Sequence, residues 1–300
     1  MAFPSAAGYT NLPNGVFVPV IYSQKVLKFF RKESVIEAVT NTDYYGEIEN
    51  MGDTVRIIKE PVVNITPYRR GIDLVDQDLI DEDLTLTVDQ GNTFRFSVED
   101  IEEKQSHINW QQLATSSGAY ALKDNYDSSV LSHITSNVDS SMLYGSTGSP
   151  IGVGFSAGRI TPLAVLNRLN RLMDEQNVPT DNRWLVADPQ FWEQMGDENS
   201  KLVGVDFTGD SSSILRNGMV VKGKIRNFTC YKSNNTVTNG STYRTVLAGH
   251  MSAVATASAM TKTEVLRSQN RFADIIRGIH VFGRKVLRPH ALALCYYTLA

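Results

Sequence analysis

Hydrophobic and polar positions alternate without a register break from Leu84 to Val98. Leu84, Leu86, Val88, Gln90, Asn92, Phe94, Phe96 and Val98 share one parity, and Thr85, Thr87, Asp89, Gly91, Thr93, Arg95 and Ser97 hold the other. That period of two predicts a strand with one covered and one wet face. At ~3.3 Å per residue it would span roughly 50 Å, long for a strand inside a compact domain. Val55, Ile57, Pro61, Val63 and Ile65 supply a partner strand after the Gly52-Asp53 turn, with Pro61 favouring an edge position. Two readings stand side by side: a projecting hairpin arm, or two strands of an ordinary sheet. An isolated two-stranded arm is marginal in water and needs something to pack against.

The period then changes. Ser97 with Asp100 reads as a helix cap with an acidic residue three positions on, and Ala119, Leu122, Tyr126, Val130 and Ile134 recur at spacings of three and four. One helix from Asp100 to Asn137 is predicted, relaxed near Ser116 to Gly118. A Gly/Ser-rich connector, Tyr144 to Gly158, marks a boundary. Thr161-Pro162 starts a helix carrying Leu163, Leu166, Leu169 and Met173, and Asp188-Pro189 caps another carrying Phe191, Trp192 and Met195. Strands are predicted at Trp184 to Ala187, Met219 to Val221, Asn227 to Tyr231, Tyr243 to Leu247, Ile279 to Phe282 and Leu292 to Tyr296. The chain is therefore α+β, with no internal repeat and no regular βαβ alternation.

Length and composition narrow the class. Three hundred residues suit one large domain or two intergrown ones. Hydrophobic residues at 42% and charged residues at 20% exclude a collagen-like or largely disordered chain. Two cysteines exclude a disulfide framework and a four-cysteine zinc site. The first fifteen residues lack the basic start and apolar run of a secretory signal, and the stretch from Val246 to Met260 is too rich in Ala, Ser and Thr for a membrane span, so no membrane association is expected.

A formal charge of −3 lacks the bulk electrostatics of a dedicated nucleic-acid binder, yet it conceals separated patches. From Asp73 to Glu103 eleven acidic residues face one base, Arg95, for a net of −10. Lys25, Lys28, Arg31 and Lys32 cluster near the N-terminus, and six Arg or Lys lie between Glu264 and Arg288. Opposite patches on one chain can orient association. Asp76, Asp78, Asp81, Glu82 and Asp83 are accordingly expected to meet Arg284, Lys285 and Arg288 of another copy. Phosphate contact is the rival role for that basic cluster.

Catalytic chemistry is mostly missing. Gly154-Phe155-Ser156-Ala157-Gly158 matches the G-x-S-x-G nucleophile elbow, with His250, His280 and His290 downstream. The elbow needs a strand running into the serine and a helix beginning at once, whereas the helix signal comes later, at Thr161-Pro162. A connector is the preferred reading, and a serine hydrolase using Ser156 is the alternative. Gly152-x-Gly154-x-x-Ala157 is a loose dinucleotide fingerprint without its preceding strand. The acidic run lacks EF-hand spacing, and the five histidines form no HExxH pair. No catalytic residue, cofactor or metal is expected.

The order of an apolar N-terminal arm, an acidic hairpin (Gly52 to Val98), a long helix and a mixed α/β segment resembles the major capsid protein of tailed bacteriophages, the Hong Kong 97-type fold. NRWLVADPQFWEQM (Asn182 to Met195) and RGIHVFGRKVLRPHAL (Arg277 to Leu292) are similar to its central-domain strand and closing strands. The resemblance implies an N-terminal arm (1–40), an extended β-hairpin loop over a neighbouring subunit (41–98), the spine helix of a peripheral domain (99–143), an axial domain (144–274) and closing strands returning to the peripheral domain (275–300). It implies a structural virion protein, assembled in the host cytoplasm, whose copies form the hexamers and pentamers of an icosahedral shell around double-stranded DNA. Lys25, Lys28, Arg31 and Lys32 would face that DNA non-specifically. With no long N-terminal scaffolding segment, a separate scaffolding protein and a portal would be partners. Lys59 is the only lysine of the hairpin, and covalent crosslinking is not expected.

Overall fold

A computed structural model describes residues 32, 34–43, 54–58, 63, 65–71, 83–99, 110–196, 224–240 and 242–299. Its helices are α1 (Ile36–Val39), α2 (Trp110–Ser136), α3 (Pro162–Glu175) and α4 (Pro189–Met195). Its strands are β1 (Thr54–Ile58), β2 (Asp83–Thr87), β3 (Gln90–Glu99), β4 (Leu143–Tyr144), β5 (Ile151–Gly152), β6 (Arg183–Ala187), β7 (Lys224–Ile225), β8 (Phe228–Lys232), β9 (Thr238–Asn239), β10 (Tyr243–His250), β11 (Val254–Arg267), β12 (Ala273–Val286) and β13 (Leu292–Thr298). The predicted strand at Met219 to Val221 lies outside the described residues.

The central sheet runs β4-β13-β10-β6-β8-β7, with β5 on β13 and β9 on β10. All five residues of β6 are buried because successive side chains enter two different cores. Leu185 and Ala187 join Val246, Ala248, Ala293, Cys295 and Tyr297 under α3 and α4. Trp184, Val186, Leu247, Leu292 and Leu294 face the other way, against α1 and against Tyr126, Val130, Leu131 and Ile134 of α2.

Local chemistry supports this packing. Both expected caps form: Thr161 Oγ1 accepts from the Ala164 amide at 3.4 Å, and Asp188 Oδ1 from the Phe191 amide at 3.2 Å. Buried Asp188 also accepts from Arg244 at 3.0 Å and from the Tyr297 hydroxyl, tying α4 to β10 and β13. Arg183 is 1% exposed, and a buried charge requires partners. It donates to Asn170 Oδ1 at 2.7 Å and to the Pro179 carbonyl at 2.8 Å, and pairs with Asp174 at 2.7 Å, fastening β6 to the end of α3.

The alternation from Leu84 to Val98 survives, but not as one strand. Leu86 and Val88 are buried, Thr85, Thr87 and Asp89 exposed, and the same parity continues to Glu99. The backbone nevertheless breaks at Val88-Asp89: β2 pairs antiparallel with β1, whereas β3 leaves to pair with β12. Each of the two readings describes one half, an independent two-stranded hairpin followed by the edge strand of a β11-β12-β3 sheet. At the break the backbone of Thr87 and Val88 lies directly on Gly283 of β12, where an added Cβ would come within 2.5 Å of the Thr87 carbonyl oxygen. Only a residue without a side chain permits that approach.

The long helix forms, with described residues beginning at Trp110 and running unbroken through Ser116 to Gly118. Residues 100–109, where its start was expected, lie outside those described. The C-terminal half of α2 enters the second core, while its N-terminal half lies over the three-stranded sheet. Phe94 sets that contact. Its ring lies where a Cβ on Gly278, its partner on β12, would be at 2.3 Å, and where one on Gly118 of α2 would be at 2.9 Å. An aromatic ring covering a glycine on the next strand is a recognised way to stabilise a sheet.

A boundary near residue 274 would divide strands that pair along their whole length, since β11 and β12 form a continuous hairpin from Val254↔Val286 to Arg267↔Asp274. The last strand, β13, lies in the central sheet between β4 and β10. The strand β11 was missed in the sequence because its Ala, Ser and Thr content hides its alternation.

Gly278→Val is expected to cost about 1–3 kcal/mol through overpacking against the Phe94 ring. In a Phe94→Ala background the same substitution should cost markedly less, which a double-mutant cycle by urea unfolding measures directly.

Candidate functional site

Ser156 occupies an exposed turn, not a nucleophile elbow. Gly154 donates to the Ile160 carbonyl at 3.0 Å, Arg159 to the Ser156 carbonyl at 3.1 Å, and Gly158 adopts φ 83°. Five residues separate Ser156 from the start of α3 at Pro162, so no helix N-terminus activates or orients the hydroxyl. The histidines are engaged elsewhere. His250 Nδ1 lies 2.8 Å from Ser252 Oγ, His280 Nε2 lies 3.1 Å from Ser258 Oγ, and His290 lies 3.7 Å from Asp139. The hydrolase alternative is therefore corrected: the triad partners are not assembled. Burial pushes the Cys230 and Cys295 thiols up to about 12, which makes them inert core groups. Among the described residues no group of His, Cys, Asp or Glu is placed to hold a metal, and no helix is long and apolar enough to cross a membrane.

The charged residues singled out in the sequence separate into distinct environments. Of the acidic set, Asp76, Asp78, Asp81 and Glu82 lie outside the described residues, and Asp83 begins β2 with its carboxylate 3.8 Å from Arg56 on β1. Of the basic set, Arg284 points to the α2 side of β12, and one of its guanidinium nitrogens donates to the Ser129 carbonyl and hydroxyl. Lys285 is half-buried, and exposed Arg288 reaches Ser252 Oγ at 3.4 Å. Burial, followed by Arg284 and Lys285, holds His133 below the usual imidazole range.

Lys25, Lys28 and Arg31 also lie outside the described residues. Lys32 has a structural partner set: its ammonium meets Asp124 at 3.2 Å and Asn235 at 2.7 Å, and its amide donates to the Tyr120 hydroxyl at 3.0 Å. Nearby, the buried Asp127 carboxylate accepts from Ser34 Oγ at 2.7 Å and the Val35 amide at 3.3 Å. Desolvation raises its pKa against those stabilising hydrogen bonds. Together these contacts fix Lys32 and residues 34–39 on α2, a docking that the sequence did not disclose because its partners lie some ninety residues apart.

Two groups of large apolar side chains stand outside the cores. Ile58, Val63, Ile65 and Tyr68 follow β1 out along the hairpin, with Ile65 96% exposed. Val265, Leu266 and Phe272 cluster at the β11-β12 turn, with Phe272 83% exposed. Apolar groups concentrated at extremities in this way mark contact surfaces. Between these regions, Glu264 of β11 accepts from Arg277 of β12 at 2.6 Å and pairs with Lys262. These hydrogen bonds, with Lys262 first and Arg277 next, pull its carboxyl down to about 2.

This architecture is the Hong Kong 97-type capsid fold. The chain is similar to the solved structure from Mycobacterium phage Che8, at 24% identity and a TM-score of 0.79, over 95% of this chain and 98% of that one. It is also similar to the capsid of cyanophage P-SCSP1u, at 16% identity and TM-score 0.74, covering 95% and 94% of the two chains. For the capsid of a native GTA particle the values are 9% and 0.69, covering 99% and 100%. No protein-family model and no curated relative matches the chain.

The depressed Glu264 pKa makes a signed prediction. The pairing stabilises the fold above the carboxyl's ordinary value of 4.5 and is lost as pH falls through about 2. Glu264→Gln should flatten the decline in stability over that interval relative to wild type, with little difference in slope at neutral pH, as thermal unfolding at graded pH would show.

Proposed function

We propose that this chain is the major capsid protein of a tailed bacteriophage, a structural protein whose copies assemble as hexamers and pentamers into the icosahedral shell around a double-stranded DNA genome. The observation that carries this reading is similarity over 95% of this chain to the phage structures, one of them a cyanophage capsid, with 98% and 94% of those chains covered. Exposed Ile58, Ile65, Tyr68 and Phe272 support it, since large apolar side chains left open by the described residues suit contact with another copy. Its work is geometric: a two-stranded hairpin with little core of its own gains its packing from the next subunit.

In this reading 1–40 is the N-terminal arm, anchored at its base by Lys32, Ser34 and Val35, and 41–98 contains the extended loop. Helix α2 is the spine of the peripheral domain, which also takes β3, β11 and β12. The axial domain takes the central sheet from 144 onward together with β13. Lys25, Lys28 and Arg31 are the DNA-facing cations, while Lys32 already has its counter-charge. A separate scaffolding protein and a portal complete the set of partners. Asp76, Asp78, Asp81, Glu82 and Asp83 form the acidic side of a subunit contact, with Lys285 and Arg288 among the cations able to meet it.

Negative-stain microscopy of the purified chain, alone and with the scaffolding protein of its own virus, is expected to show capsomers or shells. A persistent monomer under both conditions would count against the reading. Reversing Asp81, Glu82 and Asp83 to Lys should block or misdirect assembly while the subunit keeps its circular dichroism and unfolding midpoint. Normal particles from that variant would remove the hairpin charge from the mechanism.

A further inference from the structure

One face of the β11-β12-β3 sheet is covered at one end and open at the other. At the covered end Leu86 and Val88, at the base of the hairpin, pack with Ala255, Ala257 and Val281. At the open end the strand register places Glu264, Arg277 and Arg95 in one row across the three strands, and Lys262, Ile279 and Thr93 in a row two positions away. Residues directly opposite in a sheet, and those two apart along a strand, share a face. Three cations therefore surround one carboxylate, for a local net of +2.

Their pairing is incomplete. Glu264 is engaged by both Lys262 and Arg277. Arg95 stands directly across from Arg277, and like charges so placed are destabilising. Arg95 has no carboxylate partner among the described residues. The same residues line a concavity of about 430 Å³, together with Ile279. Ile275, next along β12 on this face, is half-buried beside it. A like-charge pair with one member lacking a carboxylate, beside Ile279, suits an anionic segment that is also apolar.

Residues 72–82 have that composition. Five carboxylates, Asp73, Asp76, Asp78, Asp81 and Glu82, alternate with Ile72, Leu74, Val75, Leu79 and Ile80, and no base interrupts them. We propose that the open face bearing Arg95, Arg277 and Lys262 is the docking surface for this acidic segment of a second copy. The inference rests on the shell reading and names its receptor for the acidic segment. A second copy is favoured over nucleic acid because Glu264 stands within the cationic set and Ile279 lines the site, both unsuited to a phosphate backbone. Every copy carries both halves, so each can give one contact and receive another.

The test uses two full-length variants. One carries Arg95→Glu and Thr93→Glu, which leave both partners of Glu264 in place, and the other carries Asp76→Lys and Asp78→Lys. Each is expected to keep an unfolding midpoint no lower than that of the wild type and to form no capsomers or particles alone, while an equimolar mixture recovers hexamers, in whose even ring the two variants alternate and each offers the charge that the other lacks. Docking within one chain would leave the mixture as defective as its parts, and that result would overturn the proposal. So would normal particles from the Arg95→Glu, Thr93→Glu variant while Arg288→Glu abolishes them, which would move the contact to the end of β12. Failure of the wild-type chain to assemble in the parallel control would instead strike the shell reading itself.

Discussion

Burial of the central sheet on both faces is the constraint on which the other parts depend. In β6, β10 and β13 alternate side chains go to opposite cores, so the sheet is stable only when α3 and α4 cover one side and α1 with α2 covers the other. Arg183 and Asp188, at the two ends of β6, supply the polar half of that arrangement. Their charges are buried and fully engaged, so the helices they hold have little freedom to shift.

From that core, α2 carries the order outward. Its C-terminal half belongs to the second core and its N-terminal half rests on the three-stranded sheet through Phe94, with glycine both on the next strand and on the helix. The same helix receives Lys32 and residues 34–39 through Tyr120, Asp124 and Asp127. The hairpin is attached more sparingly, by the close approach of Thr87 and Val88 to Gly283 and a small apolar cluster around Leu86 and Val88. Strong attachment of the helix and sparing attachment of the hairpin suit a subunit whose projections find their packing in other copies.

Charge follows the same division. Near the cores, ionic groups are satisfied within the chain: Lys32 by Asp124, Arg183 by Asp174 and Arg244 by Asp188. On the open face of the three-stranded sheet the balance is positive, and Arg95 has no carboxylate partner among the described residues. Such separation contributes little to the stability of one chain, but it gives direction to association.

Much of this was legible in the sequence, and the reasons are local. Thr161-Pro162 and Asp188-Pro189 determine helix starts through caps that need only neighbouring amides. The period of two in 84–98 set the faces of two successive strands correctly, since parity is a property of the chain itself. The break at Val88-Asp89 was not legible, because it depends on Gly283, almost two hundred residues away, admitting another backbone. Likewise, Arg284 and Lys32 read as free cations until folding brought them to Ser129 and to Asp124, and Arg95 read as a lone base in an acidic run until β12 set Arg277 beside it. The sequence by itself determined periodicity, caps and the sign of each patch, which arise between near neighbours. Only the tertiary structure decided which strands pair, which charges are already matched and which sheet face the described residues leave open, because those outcomes depend on contacts between distant segments.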